Sequence, residues 1–120
     1  LARTMLALRL VLTEGPPVLV FDEVDAGIGG AAAIAVGRAL SAIATDHQVL
    51  VVTHLAQVAA WADAHVVVDK TSTATTTTTT VAAVEGDERV TELARMLSGT
   101  PESDTARRHA AELLAESIRR

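Results

Sequence analysis

The chain has 120 residues, of which 49% are hydrophobic, a formal net charge of -5 and no cysteine. This is one domain's worth of chain or less, with enough apolar residues for a core; it excludes disulfides and thiolate metal sites and suits a reducing cytoplasm. With Lys+Arg 10 against Asp+Glu 15 and only 2% aromatic residues, it lacks both the basic field that grips a phosphate backbone and the rings that stack on bases.

Leu1, Met5, Leu8 and Leu12 recur at helical spacing with Arg3 and Arg9 on other faces, and Thr13-Glu14-Gly15-Pro16-Pro17 stops that helix. Val18-Leu19-Val20-Phe21 predicts a short strand buried on both faces, of the kind found inside a parallel sheet. Asp22 and Glu23 end it, and three glycines within four residues, Gly27, Gly29 and Gly30, follow closely. Open α/β folds bind ligands at the carboxyl edge of the sheet. There Asp22 is placed to hold a hard cation such as Mg²⁺, and Glu23 to orient or deprotonate a water, which is the shape of a Walker B strand. Taken alone, the pair fits the start of a solvated loop equally well.

Residues 31–45 read as a helix, with Ile34, Leu40 and Ile43 among alanines and Gly37 allowing close backbone approach. Asp46-His47-Gln48 turns the chain into a second buried strand, Val49 to Thr53. Such a strand, helix and strand form a parallel crossover unit, which sets His54 on the same edge as Asp22 and Glu23. Without that context a histidine after a strand fits a hydrogen-bonded structural residue. His47, His65 and His109 have no such neighbours and read as surface residues.

Leu55 to Ala62 predicts a short helix and His65 to Lys70 a third strand. Thr71 to Val84, which includes six consecutive threonines from Thr75 to Thr80, reads as an outer pair of strands or a strand with a loose turn, a polar low-complexity loop being the competing form. Asp87 is expected to cap a helix whose buried face is Val90, Leu93, Ala94 and Leu97, with Gly99 as its stop. Thr100-Pro101 is expected to cap a last helix with Glu102 and Asp104 in its first turn, Arg119-Arg120 at its end, and a stripe of Ala106, Ala110, Leu113, Leu114 and Ser117. Both helices read as cover for the sheet; Arg107 and Arg108 fit a small anionic contact, but better a solvated helix face. No apolar run approaches the roughly 20 residues needed to cross a bilayer, and no signal peptide is visible.

The run Asp22-Glu23-Val24-Asp25-Ala26-Gly27-Ile28-Gly29-Gly30 resembles the Walker B and D-loop of the ATPase heads of SMC-like proteins, and most closely the RecN family. ABC transporter subunits usually carry a Pro-Thr-Ser-Ala-Leu-Asp-like run after the glutamate, and this chain does not. Val51 to Ala59 resembles the switch loop of the same ATPases, with Ala56 where the family often has proline. Leu1-Ala2-Arg3 and Met5 to Leu8 look like the helix after the ABC signature motif, with Ala2 where serine is usual; the Ser-Gly-Gly-Glu part would precede Leu1.

The resemblance covers nearly all of residues 1–120 and implies an α/β fold: the carboxyl-terminal lobe of a P-loop NTPase-like (ABC/SMC) head, with a mainly parallel sheet and flanking helices. It implies one part of an ATP-binding protein of DNA double-strand-break repair and recombination, whose paired heads sandwich ATP. On that model Asp22 helps hold Mg²⁺, Glu23 polarises the attacking water and His54 contacts the γ-phosphate, while Asp25, Ala26 and Gly27 reach the partner head as the D-loop. The implied partners are the Walker A half of the same head, a second head in a homodimer, and DNA through the full-length protein, with no membrane; the implied location is the cytoplasm, at the nucleoid when acting on DNA. No G-x-x-x-x-G-K-S/T run occurs, so an ATPase is expected of the longer polypeptide and not of these residues alone. A head of another SMC-type or transporter-type ATPase, and a non-catalytic dimerisation module, are the rival readings.

Overall fold

The computed structural model describes residues 18–22 and 27–118. The helix expected over Leu1 to Leu12, and Arg119-Arg120, lie outside the described residues. In chain order the elements are β1 (Val18–Asp22), α1 (Gly30–Ile43), β2 (Gln48–Val52), α2 (Ala56–Ala59), β3 (His65–Ser72), β4 (Thr77–Val84), α3 (Gly86–Ser98) and α4 (Asp104–Ile118). They make a small α/β domain with two short sheets.

β1 and β2 pair in parallel, in register from Val18 opposite Gln48 to Asp22 opposite Val52. Side chains alternate across a strand, so Leu19 and Phe21 on β1 and Val49 and Val51 on β2 share one face. That face packs with Ala33, Val36, Leu40 and Ile43 of α1 and with Val58 of α2. The opposite face carries Val18, Val20, Leu50 and Val52, which are 49%, 67%, 51% and 57% exposed. Both strands were expected to be buried on both faces; among the described residues a single helical layer covers them, and the other apolar face lies open.

The small side chains of α1 let α2 approach closely. A Cβ placed on Gly37 would stand 2.6 Å from Trp61 Cδ1 and 3.1 Å from the Gln57 carbonyl oxygen. Trp61 is itself buried, and the Arg38 guanidinium lies 5.4 Å from the centroid of its ring. The close approach expected at Gly37 is therefore made against this tryptophan.

A second core joins Ala56, Ala59 and Ala60 to Leu93 and Ala94 of α3 and to Ala106, Ala110 and Leu113 of α4. Val90, Leu97 and Leu114 pack against it, and Ser117 is also buried, so both predicted stripes face inward. The two helices pack mainly on each other and on α2, not as a layer over the strands. Arg107, expected on a solvated face, instead donates from Nη2 to Asp87 Oδ1 at 2.7 Å and from Nη1 to Thr91 Oγ1 at 2.7 Å, tying α4 to α3.

A single mainly parallel sheet is not what the described residues form. β3 and β4 pair antiparallel with each other, from His65 opposite Val84 to Ser72 opposite Thr77. The threonine tract divides between the turn and the second strand: Thr73 Oγ1 accepts the Thr76 N–H at 3.0 Å, and the Thr73 N–H donates to the Thr76 carbonyl at 2.7 Å. β-Branched side chains favour extended backbone, and a short hydroxyl can close a turn on its own backbone. Of the forms expected for Thr71 to Val84, the strand with a turn is the one that forms, as β4 returning along β3, and the polar loop does not.

Two helix starts differ from the expected ones. The N-cap of α3 is Glu85; Asp87 falls inside the first turn with Glu88, where negative charge still complements the helix dipole. α4 begins at Asp104 rather than after Thr100-Pro101, and Ser103 Oγ accepts the Ala106 N–H at 3.2 Å as a capping serine does. Gly99 ends α3 in the left-handed region at φ 80, its N–H donating to the Arg95 carbonyl at 2.7 Å.

Replacing Gly37 by alanine removes a helix glycine, worth about 1 kcal/mol in propensity, but overpacks the Trp61 contact at a cost of about 1–3 kcal/mol. Since the nearest neighbour is a rigid, buried indole ring, the overpacking is expected to win. A denaturant titration of Gly37→Ala should show a lower midpoint at unchanged m-value; a raised midpoint would contradict the contact.

Candidate functional site

Parallel pairing with aligned register sends the carboxyl ends of β1 and β2 to one edge. Asp22 closes β1 opposite Val52, and the chain leaves β2 through Thr53 and His54. Asp22 and His54 are both exposed. Glu23, Asp25 and Ala26 lie outside the described residues. Gly27 is exposed with φ 78, a left-handed backbone that favours glycine and turns the chain toward α1.

His54 sits in a segment held at both ends. In front, the half-buried Thr53 accepts the Leu55 N–H on its hydroxyl at 3.0 Å, fixing the exit from β2. Behind, α2 is a single turn whose N-cap, Leu55, makes no side-chain capping bond. Its last carbonyls are met by a guanidinium from α3: Arg89 Nη2 donates to Ala62 O at 2.7 Å, to Ala59 O at 3.1 Å and to Ala60 O at 3.5 Å. Sequence reasoning passed over Arg89, because it lies beside the apolar stripe of α3 and its acceptors are backbone carbonyls 27 to 30 positions away. Trp61 was missed too, although it is the chain's one tryptophan and that was a readable signal.

His65, expected on the surface, is partly buried at the start of β3, and its Nδ1 is buried without a hydrogen-bond partner. Burial lowers its pKa below the ordinary 6.5; the positive charge of Arg89 acts in the same direction and Glu92 opposes it. Of the other histidines expected on the surface, His109 is exposed, whereas His47 is partly buried.

Among the described residues no group of three or more histidine, aspartate or glutamate side chains could hold a metal ion. Asp22 suits a cation of another kind. Mg²⁺ takes one or two protein carboxylates and completes its octahedron with waters and phosphate oxygens, and an exposed carboxylate at a strand end leaves room for these.

With this geometry in hand, the chain can be set beside known proteins. No family model matches it. It is 53% identical over 116 residues to the DNA repair protein RecN of Streptomyces coelicolor, covering 95% of this chain and 20% of that protein. RecN of Deinococcus radiodurans is 56% identical over 115 residues, covering 96% of this chain and 20% of its own length, and RecN of Treponema pallidum 49% over 121 residues, covering 99% and 21%. By sequence the chain is similar to the carboxyl-terminal part of RecN proteins. It spans about one fifth of the length of these relatives, their carboxyl-terminal part. No helix among the described residues is long and apolar enough to cross a membrane.

The lowered pKa of His65 has a consequence for stability. The fold favours the neutral ring, so this contribution is complete above 6.5 and is lost as the pH falls from there through the lower folded-state value. Thermal unfolding followed from about pH 8 down to about pH 5 should show a declining Tm in the acid half, and His65→Gln should flatten that decline. An identical pH profile in the two proteins would contradict a buried neutral imidazole.

Proposed function

We propose that this segment is the Walker B, D-loop and switch-histidine part of a P-loop ATPase head, and that the polypeptide containing it acts in DNA double-strand-break repair and recombination. Its RecN relatives bear the name of DNA repair proteins at 53% and 56% identity over almost the whole chain. The observation that carries the reading is the register of β1 and β2, which brings Asp22 and the His54 segment to one sheet edge.

In this reading Asp22 contributes an oxygen to Mg²⁺, and Glu23 orients and polarises the water that attacks the γ-phosphate. His54 donates to a γ-phosphate oxygen and so registers whether the nucleotide is a triphosphate. Asp25, Ala26 and Gly27 extend to a second head, so that ATP lies between two copies. Bound Mg²⁺ supplies charge neutralisation on the phosphates. Phosphoryl transfer asks the protein mainly for positioning and charge stabilisation, which is why so short a set of residues can be decisive.

The phosphate cradle belongs to another part of the head, since G-x-x-x-x-G-K-S/T does not occur in these residues. A cytoplasmic location, at the nucleoid during repair, follows from the same reading. The 120-residue chain by itself is expected to show no ATP turnover. In the full-length protein Glu23→Gln should retain ATP while losing hydrolysis by about 10²-fold or more, the range typical of removing a general base. Undiminished turnover in that variant would overturn the assignment of Glu23.

A further inference from the structure

We infer that Arg89 is a positioning residue for the ATPase reaction, acting through His54; this rests on the role proposed for His54 above. α2 has four residues, and isolated helices of that length do not persist in water. Its direction is therefore set by what holds it. The buried residues of the segment are Ala56, Val58, Ala59, Ala60 and Trp61; Trp61 seats it against Gly37, and the remaining side chains, mostly small, leave its polar ends to be held by directional bonds.

Directional bonds hold it at two ends: the Thr53 hydroxyl in front, and behind it the Arg89 guanidinium on the carbonyls of Ala59, Ala60 and Ala62. These carbonyls lie at and just beyond the end of α2, where acceptors are left over, although that of Ala59 also accepts the Ala62 N–H at 3.1 Å, and a charged donor meets them about twice as strongly as a neutral one would. Arg89 comes from α3, which is braced by the Arg107 bonds to Asp87 and Thr91. The clamp therefore refers the His54 segment to the helical layer, not only to its own sheet.

Losing it would free the carboxyl end of the segment and, through Leu55, loosen the turn that sets His54. A misplacement of about 1 Å at a reacting group is enough for about 10²-fold in rate. Lysine keeps the positive charge but presents a compact ammonium on a flexible stem, in place of a rigid planar fork, and so replaces the clamp incompletely.

The test is a kinetic cycle in the full-length protein with ATP and Mg²⁺, recording kcat, KM and Tm for His54→Ala, Arg89→Ala, Arg89→Lys and the His54→Ala/Arg89→Ala double variant. Arg89→Ala should lower kcat by about 10²-fold with KM changed less than about twofold, and Arg89→Lys should lower kcat by about tenfold at nearly the parental Tm. The double variant should be no slower than His54→Ala alone. Losses that multiply in the double variant, or parental kcat in Arg89→Lys, would overturn the role of Arg89 while leaving that of His54 intact. Parental kcat in His54→Ala would overturn the reading of His54, and with it the action of Arg89 through it.

Discussion

Five paired positions between β1 and β2, from Val18 opposite Gln48 to Asp22 opposite Val52, are the constraint on which the rest depends. Because the pairing is parallel, α1 must carry the chain back before β2 can start, and the two carboxyl ends must leave the sheet together. A shift of one residue would exchange the faces of β2, turning Val49 and Val51 away from α1 and spoiling the contact with Val36, Leu40 and Ile43. Hydrophobic packing on one face therefore fixes the register that sets Asp22 beside the chain leading to His54. Each buried Val, Leu or Ile in that layer contributes about 1.5–3 kcal/mol, enough for a handful of side chains to outweigh the alternative registers.

The strands carry more apolar surface than the described residues cover. Val18, Val20, Leu50 and Val52 form an open face, and a two-stranded sheet has little stability of its own in water. An α/β sheet of this composition ordinarily has helices on both faces. This bears on the proposed function, because Asp22 and Glu23 would serve as a Walker B pair only if held rigidly against the phosphates. The second core, where α2 meets α3 and α4, supplies part of that rigidity from the helical side, with Arg89 as its polar contact to the His54 segment.

Much of this was legible from local pattern. Continuous runs of Val, Leu and Phe marked β1 and β2, alanines with Gly37 marked α1, and the stripes around Leu93 and Leu113 marked α3 and α4, because each signal is contained in a few neighbouring residues. What failed depended on distant partners. His65 looked like a surface residue because Arg89 and Glu92, whose charges it feels, arrive more than twenty positions later on α3. Asp87 looked like a cap, but Glu85 takes that place and Asp87 pairs with Arg107 instead. The mainly parallel sheet was implied by the family resemblance and not by a local pattern; among the described residues β3 pairs with the threonine-rich strand that follows it directly. The places of Asp22 and His54 at the ends of β1 and β2 could be read from the sequence, whereas the contacts of Arg89 could not, since backbone carbonyls leave no mark there.

The most direct measurement is a structure of the full-length protein with Mg²⁺ and a non-hydrolysable ATP analogue. The account predicts an Asp22 carboxylate oxygen in the coordination sphere of the cation, directly or through one water, and a His54 ring nitrogen at hydrogen-bond distance, about 2.7–3.2 Å, from a γ-phosphate oxygen. A nucleotide bound elsewhere, with Asp22 and His54 both facing solvent, would contradict it.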